Sequence, residues 1–405
     1  MHRYFRLFLI FFVLFALVIS LSQCEMVMSE EAGIRGARYA DPETCMQCHR
    51  NVSASFDKTG HFHTSSVVES AADVMVSKGH DTFQLNEDIR IVLEARGGVM
   101  YQVAYERGKE INAQPFNVSF GSGEKAQTYA YWDDRRLFQL PLTYYKAVNG
   151  WTNSPGFPID RIDYSRAIVS RCFECHSSFA ATKIVKTGTL SVTEQVVKEA
   201  ILFGIDCQRC HGPAAAHVDF HQEHPEEKDA REIVRIKNLS RQQRVDMCAV
   251  CHSGNDQLTQ KSTFSFKPGD TLSHYYYPAF GNAGTTEPDV HGKQYQMLMA
   301  SACYIKSDMD CSSCHNVHLN EQNSRATFVQ RCLNCHNTGM HPDALKLGAA
   351  LKERCIDCHM PVQQSKLITF QVAGKAGKMP YQLRSHRVGV YPDESKKIKA
   401  YISSF

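Results

Sequence analysis

Cys45-Met46-Gln47-Cys48-His49 decides how this chain is read, because the same Cys-x-x-Cys-His spacing returns at Cys172 to His176, Cys207 to His211, Cys248 to His252, Cys311 to His315, Cys332 to His336 and Cys355 to His359. The spacing is the attachment signature of a c-type haem. One helical turn lets two thiols add to the two vinyl groups of one porphyrin, while the adjacent imidazole reaches the iron from one face. The attachment thiols are therefore Cys45 and Cys48, Cys172 and Cys175, Cys207 and Cys210, Cys248 and Cys251, Cys311 and Cys314, Cys332 and Cys335, and Cys355 and Cys358. The proximal iron ligands are His49, His176, His211, His252, His315, His336 and His359.

A zinc or iron–sulfur site also uses Cys-x-x-Cys, but neither requires a histidine at the next position. With 19 histidines in 405 residues, seven such coincidences lie far outside chance. A disulfide framework leaves the repeated histidine unexplained. Seven porphyrins would each replace part of the side-chain core, so the expectation is a mainly α, haem-centred multihaem cytochrome c with little regular structure and a small antiparallel β insertion. The formal charge of +3 would become negative once two propionates per haem are added, and nucleic acid is not an expected partner.

The N-terminus reads as an export signal over residues 1–23. His2, Arg3 and Arg6 precede an apolar run from Leu7 to Leu21, which is short for a membrane span. Leu21-Ser22-Gln23-Cys24 resembles a lipobox, so Cys24 is a candidate lipid tether to a membrane surface. A signal anchor is the competing reading. Cys24 and Cys303 are the two cysteines outside the motifs, and Cys303 is read as a small buried residue.

Along the chain, residues 24–81 hold the first motif, and residues 82–150 read as the β insertion. There Ile89, Ile91 and Leu93, then Val99, Tyr101, Val103 and Tyr105, alternate with other residues around a Gly97-Gly98 turn. A second alternation through Tyr129, Tyr131 and Leu137 turns at Asp133-Asp134. Gly121-Ser122-Gly123 reads as a turn, too short for a nucleotide fingerprint. Pro155, Gly156 and Pro158 mark a boundary into residues 151–260, which carry motifs 2 to 4. Here Ser191 with Glu194 reads as a capping box opening a helix over Val192 to Phe203, and Ser240 with Gln243 repeats the device before Cys248. Residues 261–405 carry motifs 5 to 7, and 41–405 read as one haem-packed unit.

What completes each iron decides function. A haem with histidine on both faces is low-spin and closed, suited to electron transfer, whereas one open face permits chemistry on a small ligand. His318 lies three residues beyond His315 on the same helical face, so it reads as a distal ligand to a neighbouring haem, and His217 and His341 read likewise. His221 and His224 read as surface residues.

The stretches GSGEKAQTYAYW, LFQLPLTYY and NSPGF within Gly121–Phe157, CQRCHGPAAAHV from Cys207, HGKQYQMLMASACYIKSDMDCSSCHNVH from His291, CIDCHMP from Cys355 and SHRVGVY from Ser385 together resemble the cytochrome c-552/c-554 group of bacterial multihaem cytochromes. That group sits within a wider superfamily of hydroxylamine oxidoreductase and multihaem reductases. The resemblance covers most of the chain after its signal. It implies stacked haem pairs and bis-histidine coordination, with His217, His318 and His386 as distal ligands and His61 and His291 as further candidates. The chain departs from the reductases in having no Cys-x-x-Cys-Lys motif. The expected function is an exported heptahaem cytochrome passing electrons between membrane or periplasmic redox partner proteins. The alternative is an oxidoreductase acting on nitrite, hydroxylamine or tetrathionate at one open haem, with His80, His274 and Tyr275 as candidates beside it.

Overall fold

The computed structural model describes residues 33–75, 81–158, 160–254, 256, 258–277, 288–321, 324–372 and 377–404. The export signal, Cys24 and His80 lie outside these residues.

Alternation of β-branched and aromatic residues builds the first half. Strands β1 (Ser65–Val67), β2 (Thr82–Gln84), β3 (Ile89–Arg96), β4 (Val99–Glu106), β5 (Lys109–Pro115), β6 (Val118–Phe120), β7 (Ala126–Asp133), β8 (Arg136–Tyr145) and β9 (Gly150–Asn153) form two antiparallel sheets. One runs β1-β6-β7-β8-β9 and the other β2-β3-β4-β5. Ile91, Leu93 and Ala104 from one sheet share a core with Tyr129, Tyr131, Phe138, Leu140 and Leu142 of the other. Burying a side chain of this size contributes about 1.5–3 kcal/mol. A polar clamp crosses the same interface. The Gln102 amide accepts from Leu142 N at 3.0 Å and donates to Leu142 O at 3.1 Å, so this fully buried side chain pairs with the backbone of the facing sheet.

The mainly α expectation is overturned: among the described residues, helices and strands occur in comparable amounts, with several antiparallel sheets. The expected helix Val192–Phe203 is strand β11, paired with β10 (Ser177–Lys186) from Lys186↔Val192 to Ser177↔Phe203. Val192, Thr193, Val196, Val197 and Ile201 are β-branched and favour the extended state once a partner strand is present. Glu194 caps nothing in its own segment; its Oε2 accepts from Ser170 N at 3.1 Å. The second device does open a helix: Ser240 and Gln243 form a capping box on Arg241–His252. Strands β12 (Val362–Phe370) and β13 (Met379–Arg384) return the C-terminal segment to the first sheet, where Phe370 stacks on Tyr145 at 4.6 Å.

Several helices among and after the motifs are different in kind. Helices Thr44–Cys48, Arg50–Phe56, Ala215–Glu223, Ala344–Leu347 and Pro392–Ile402 bury no residue at all. Helices this short are marginal alone in water. Their stability therefore comes from what packs against them and not from side chains they bury themselves.

Gly204 joins β11 to the third motif with φ +66°, and a Cβ there would collide with the Phe62 carbonyl oxygen. Gly204→Ala is expected to cost at least about 2 kcal/mol, combining left-handed strain with backbone overlap. Chemical denaturation checks this; an unchanged midpoint would remove Gly204 from the fold's constraints.

Candidate functional site

Each motif sits on a helical turn: Thr44–Cys48, Ser170–His176, Cys207–His211, Arg241–His252, Cys311–Ser313, Arg325–Leu333 and Cys355–His359 supply the cysteines or run directly into them. Local capping sets several of these turns. Asp206 accepts from Arg209 N at 2.9 Å and Asp310 from Ser313 N at 3.2 Å, each placing a carboxylate at the start of the turn. The β half docks against motif 2, where Thr64 and Ser65 hydroxyls both donate to His176 O, at 2.7 and 2.6 Å.

Imidazoles meet in pairs across the fold. Ring centres are 6.4 Å apart for His49 and His217, 6.1 Å for His211 and His318, 6.1 Å for His252 and His61, 6.3 Å for His315 and His386, and 6.1 Å for His359 and His341. His291 lies close enough to His176 to act on it electrostatically. In each of these pairs one member belongs to a motif, whereas His217 and His221, whose rings meet at 4.6 Å, form a pair that does not. Thus His318 stands opposite His211, away from its sequence neighbour His315. Among the described residues no ring contact joins His336 to a second histidine.

Two trans imidazoles on one metal, with bonds of about 2.0 Å and about 1.1 Å more to each ring centre, stand about 6.2 Å apart. The five measured separations match this span, so the residues present fit an iron between each pair. Ring chemistry agrees at three positions. Nδ1 of His176 points at Thr64 O (3.3 Å), that of His217 at Arg231 O (2.6 Å) and that of His359 at Gly389 O (2.8 Å). A carbonyl only accepts, so the proton sits on Nδ1 and the Nε2 lone pair is free for metal. His341 differs, because its Nδ1 accepts from Asp343 N at 3.1 Å.

Burial lowers the pKa of His61, His176, His211, His291 and His315, and brings His252 and His386 down to about 4. These rings are neutral at pH 7, the form that binds metal. His252, His291 and His315 nevertheless keep solvent-accessible surface despite this desolvation. They are therefore open to water rather than part of a packed core.

Motif thiols also meet. Cys45 adjoins Cys207, Cys175 adjoins Cys251, and Cys248 adjoins Cys311. Weaker electrostatic contacts link Cys210 with Cys251, and Cys332 with both Cys314 and Cys355. The fourth motif is therefore a junction, touching motifs 2, 3 and 5.

Tyr275 is buried, with its hydroxyl bonded to Asp270 at 2.5 Å, and burial followed by that bond pushes its pKa up to about 12. It holds a loop, while His274 is exposed. Cys303 is half-exposed, not buried as expected, and lies near Cys314 and Cys332. The sequence reading missed Asp289, which no motif marks. Its buried carboxylate accepts from His291 N (2.9 Å), Ser365 Oγ (2.8 Å) and Lys366 N (2.6 Å), tying the His291 loop to β12. Asp289→Ala is expected to cost about 1–3 kcal/mol by orphaning those donors. It should also weaken the His291 side of its pair, seen as new high-spin haem signal in the oxidised holoprotein. Retained stability and an unchanged spectrum would show that the loop is held otherwise.

No protein-family model matches this chain, and no curated protein matches it. Among solved structures, the outer cell wall cytochrome OcwA superposes with a TM-score of 0.53 at 16% identity, covering 89% of this chain and 82% of that one. The chain shares the fold of that cytochrome. Among the described residues no helix is long and apolar enough to cross a membrane.

Proposed function

We propose that this chain is an exported electron-transfer protein carrying seven covalent haems c, akin to the cytochrome c-552/c-554 group. The fourteen motif cysteines form the thioethers, and His49, His176, His211, His252, His315, His336 and His359 hold the irons from the proximal side. Distal ligands are His217, His291, His318, His61, His386 and His341, opposite the first, second, third, fourth, fifth and seventh motif histidines respectively. His341 gives up its bond from Asp343 on binding metal. The observation that carries this reading is the narrow band of ring separations, 6.1 to 6.4 Å, in five pairs each with one motif histidine, four of them drawn from distant parts of the sequence.

Bound haem supplies a one-electron ferric/ferrous couple. The polypeptide holds the buried imidazoles His61, His176, His211, His252, His291, His315 and His386 neutral, would exclude substrate from irons ligated on both faces, and brings the motifs into series. The thiol contacts order that series as motifs 1, 3, 4, 5, 6 and 7, with motif 2 branching at motif 4. Redox partner proteins at the membrane or outside the cytoplasm would load and unload it, and lipid on Cys24 would tether it.

A second reading rests on His336, which makes no ring contact with another histidine among the described residues. The iron there would be open to nitrite, hydroxylamine or a sulfur oxyanion. Electron paramagnetic resonance of the oxidised holoprotein, quantified against haem content, separates the two readings. Low-spin signals unchanged by nitrite or hydroxylamine support a carrier alone; one high-spin haem that shifts on ligand addition supports the oxidoreductase. An intact mass lacking seven haems sinks both.

A further inference from the structure

Arg171, Glu174 and Arg209 form a charged knot where motifs 2, 3 and 4 meet. Arg171 directly precedes motif 2, Glu174 occupies one of its variable positions and Arg209 one of motif 3's. Glu174 is only 3% exposed. Its carboxylate accepts from Arg171 Nη1 (3.0 Å), Ser262 Oγ (2.7 Å) and Thr263 N (3.2 Å). Arg209 donates through Nη2 to Glu174 O (2.9 Å) and through Nη1 to Thr263 O (2.8 Å). Arg171 Nη2 reaches Tyr276 Oη at 3.1 Å, and that hydroxyl donates to Val250 O at 2.8 Å in the motif 4 helix.

The knot encloses the Cys175–Cys251 contact. Arg171 Nη1 stands 3.8 Å from Cys175 Sγ, and Cys251 Sγ stands 3.7 Å from Glu174 O. Arg171 pairs with the Glu174 carboxylate while Arg209 bonds only neutral oxygens, so these three side chains carry one net positive charge beside two haem-attachment thiols. Both Nε atoms are buried without a hydrogen-bond partner. Buried charge and orphaned donors cost stability, and uncharged side chains would fill the space at lower cost. Charge at this place therefore does something other than pack.

We infer that the knot raises the reduction potential of the haems on motifs 2 and 4 above their neighbours, making the junction a sink where electrons gather. Reduction of ferric to ferrous iron removes one positive charge from each haem, which a fixed cation favours. A unit charge within about 10 Å, at an effective dielectric constant of about 20, shifts such an equilibrium about tenfold. The inference rests on the haem reading above, and its test separates the two.

The test is a spectroelectrochemical titration of holoprotein, comparing the native chain with Arg209→Gln, Arg209→Lys and Glu174→Gln. Arg171→Gln is the second charge-removing variant should Arg209→Gln not fold. Peptide mapping first establishes haem on the Cys172–Cys175 and Cys248–Cys251 peptides. Native protein should show two of its haems at the high-potential end. Arg209→Gln should cut their reduced-to-oxidised ratio about tenfold, a drop of about 59 mV for a one-electron couple. Arg209→Lys should keep the native value, and Glu174→Gln should move the same two haems upward. Equal shifts in the Gln and Lys variants, or a downward shift in Glu174→Gln, would mean the knot only packs and would overturn the inference. Haem missing from those two peptides would overturn the haem reading as well.

Discussion

Replacing Cys248 and Cys251 together by serine will remove one haem and collapse the centre of the molecule. The fourth motif ends the helix Arg241–His252, which buries Val245, Asp246, Ala249 and Val250. It adjoins motifs 2, 3 and 5 through its thiols. The same helix is tied to motif 5 by Arg244 Nε donating to Asp310 at 2.5 Å. Loss of the haem would leave His61 and His252, both with pKa values lowered by burial, facing a water-filled slot. The expected cost exceeds about 5 kcal/mol, the range reached when a buried cofactor or metal is lost. The same double substitution at Cys355 and Cys358 should cost less, because motif 7 has only motif 6 as a thiol neighbour among the described residues. Intact mass and thermal unfolding together check this. A seven-haem mass in the Cys248/Cys251 variant would exclude thioether attachment there.

His386→Ala will convert one haem from low to high spin, and added imidazole will restore it. The His386 ring stands 6.3 Å from that of His315 with 22° between their planes. Its backbone is held independently, since the buried Ser301 hydroxyl lies 3.4 Å from His386 O and accepts from Val388 N at 2.9 Å. Truncation therefore removes the ligand and leaves the loop. His274→Ala is the control, because His274 is exposed and no ring contact joins it to a motif histidine among the described residues. Paramagnetic resonance and the high-spin charge-transfer band report the change. An unchanged spin state in the His386 variant would remove it from the ligand set.

The two kinds of ligand were unequally legible. The motif histidines follow from five consecutive residues, since thioether chemistry and proximal ligation are satisfied within one helical turn. His315 and His318 do not share the helical face expected of them, since the turn ends at Ser313, and the place of His318 opposite His211 depends on the fold. His61 and His252 are likewise far apart in sequence, and nothing local couples them. Glu174 and Arg209 were visible as charges inside motifs, yet their meeting could not be read. Asp289 left no trace at all.

The β half shows the same division. Ile89, Ile91 and Leu93 fall in β3 as their alternation suggests, because period two is a local property of a half-buried strand. Val192–Phe203 was misread as a helix because Ser191, Glu194, Gln195, Lys198 and Glu199 suit a helix as well as a surface strand. Pairing with β10 settled it, and that pairing brings residues across a turn into a ladder the sequence does not encode locally.

The sequence by itself determined seven Cys-x-x-Cys-His motifs, whose short-range spacing fits two thioethers and one proximal imidazole within a helical turn. Only the tertiary structure decided which imidazole stands across from which motif, which motifs touch, and that strands rival helices. Those relations join distant residues, and they are set by the packing of two β sheets and the motif-bearing segments against one another.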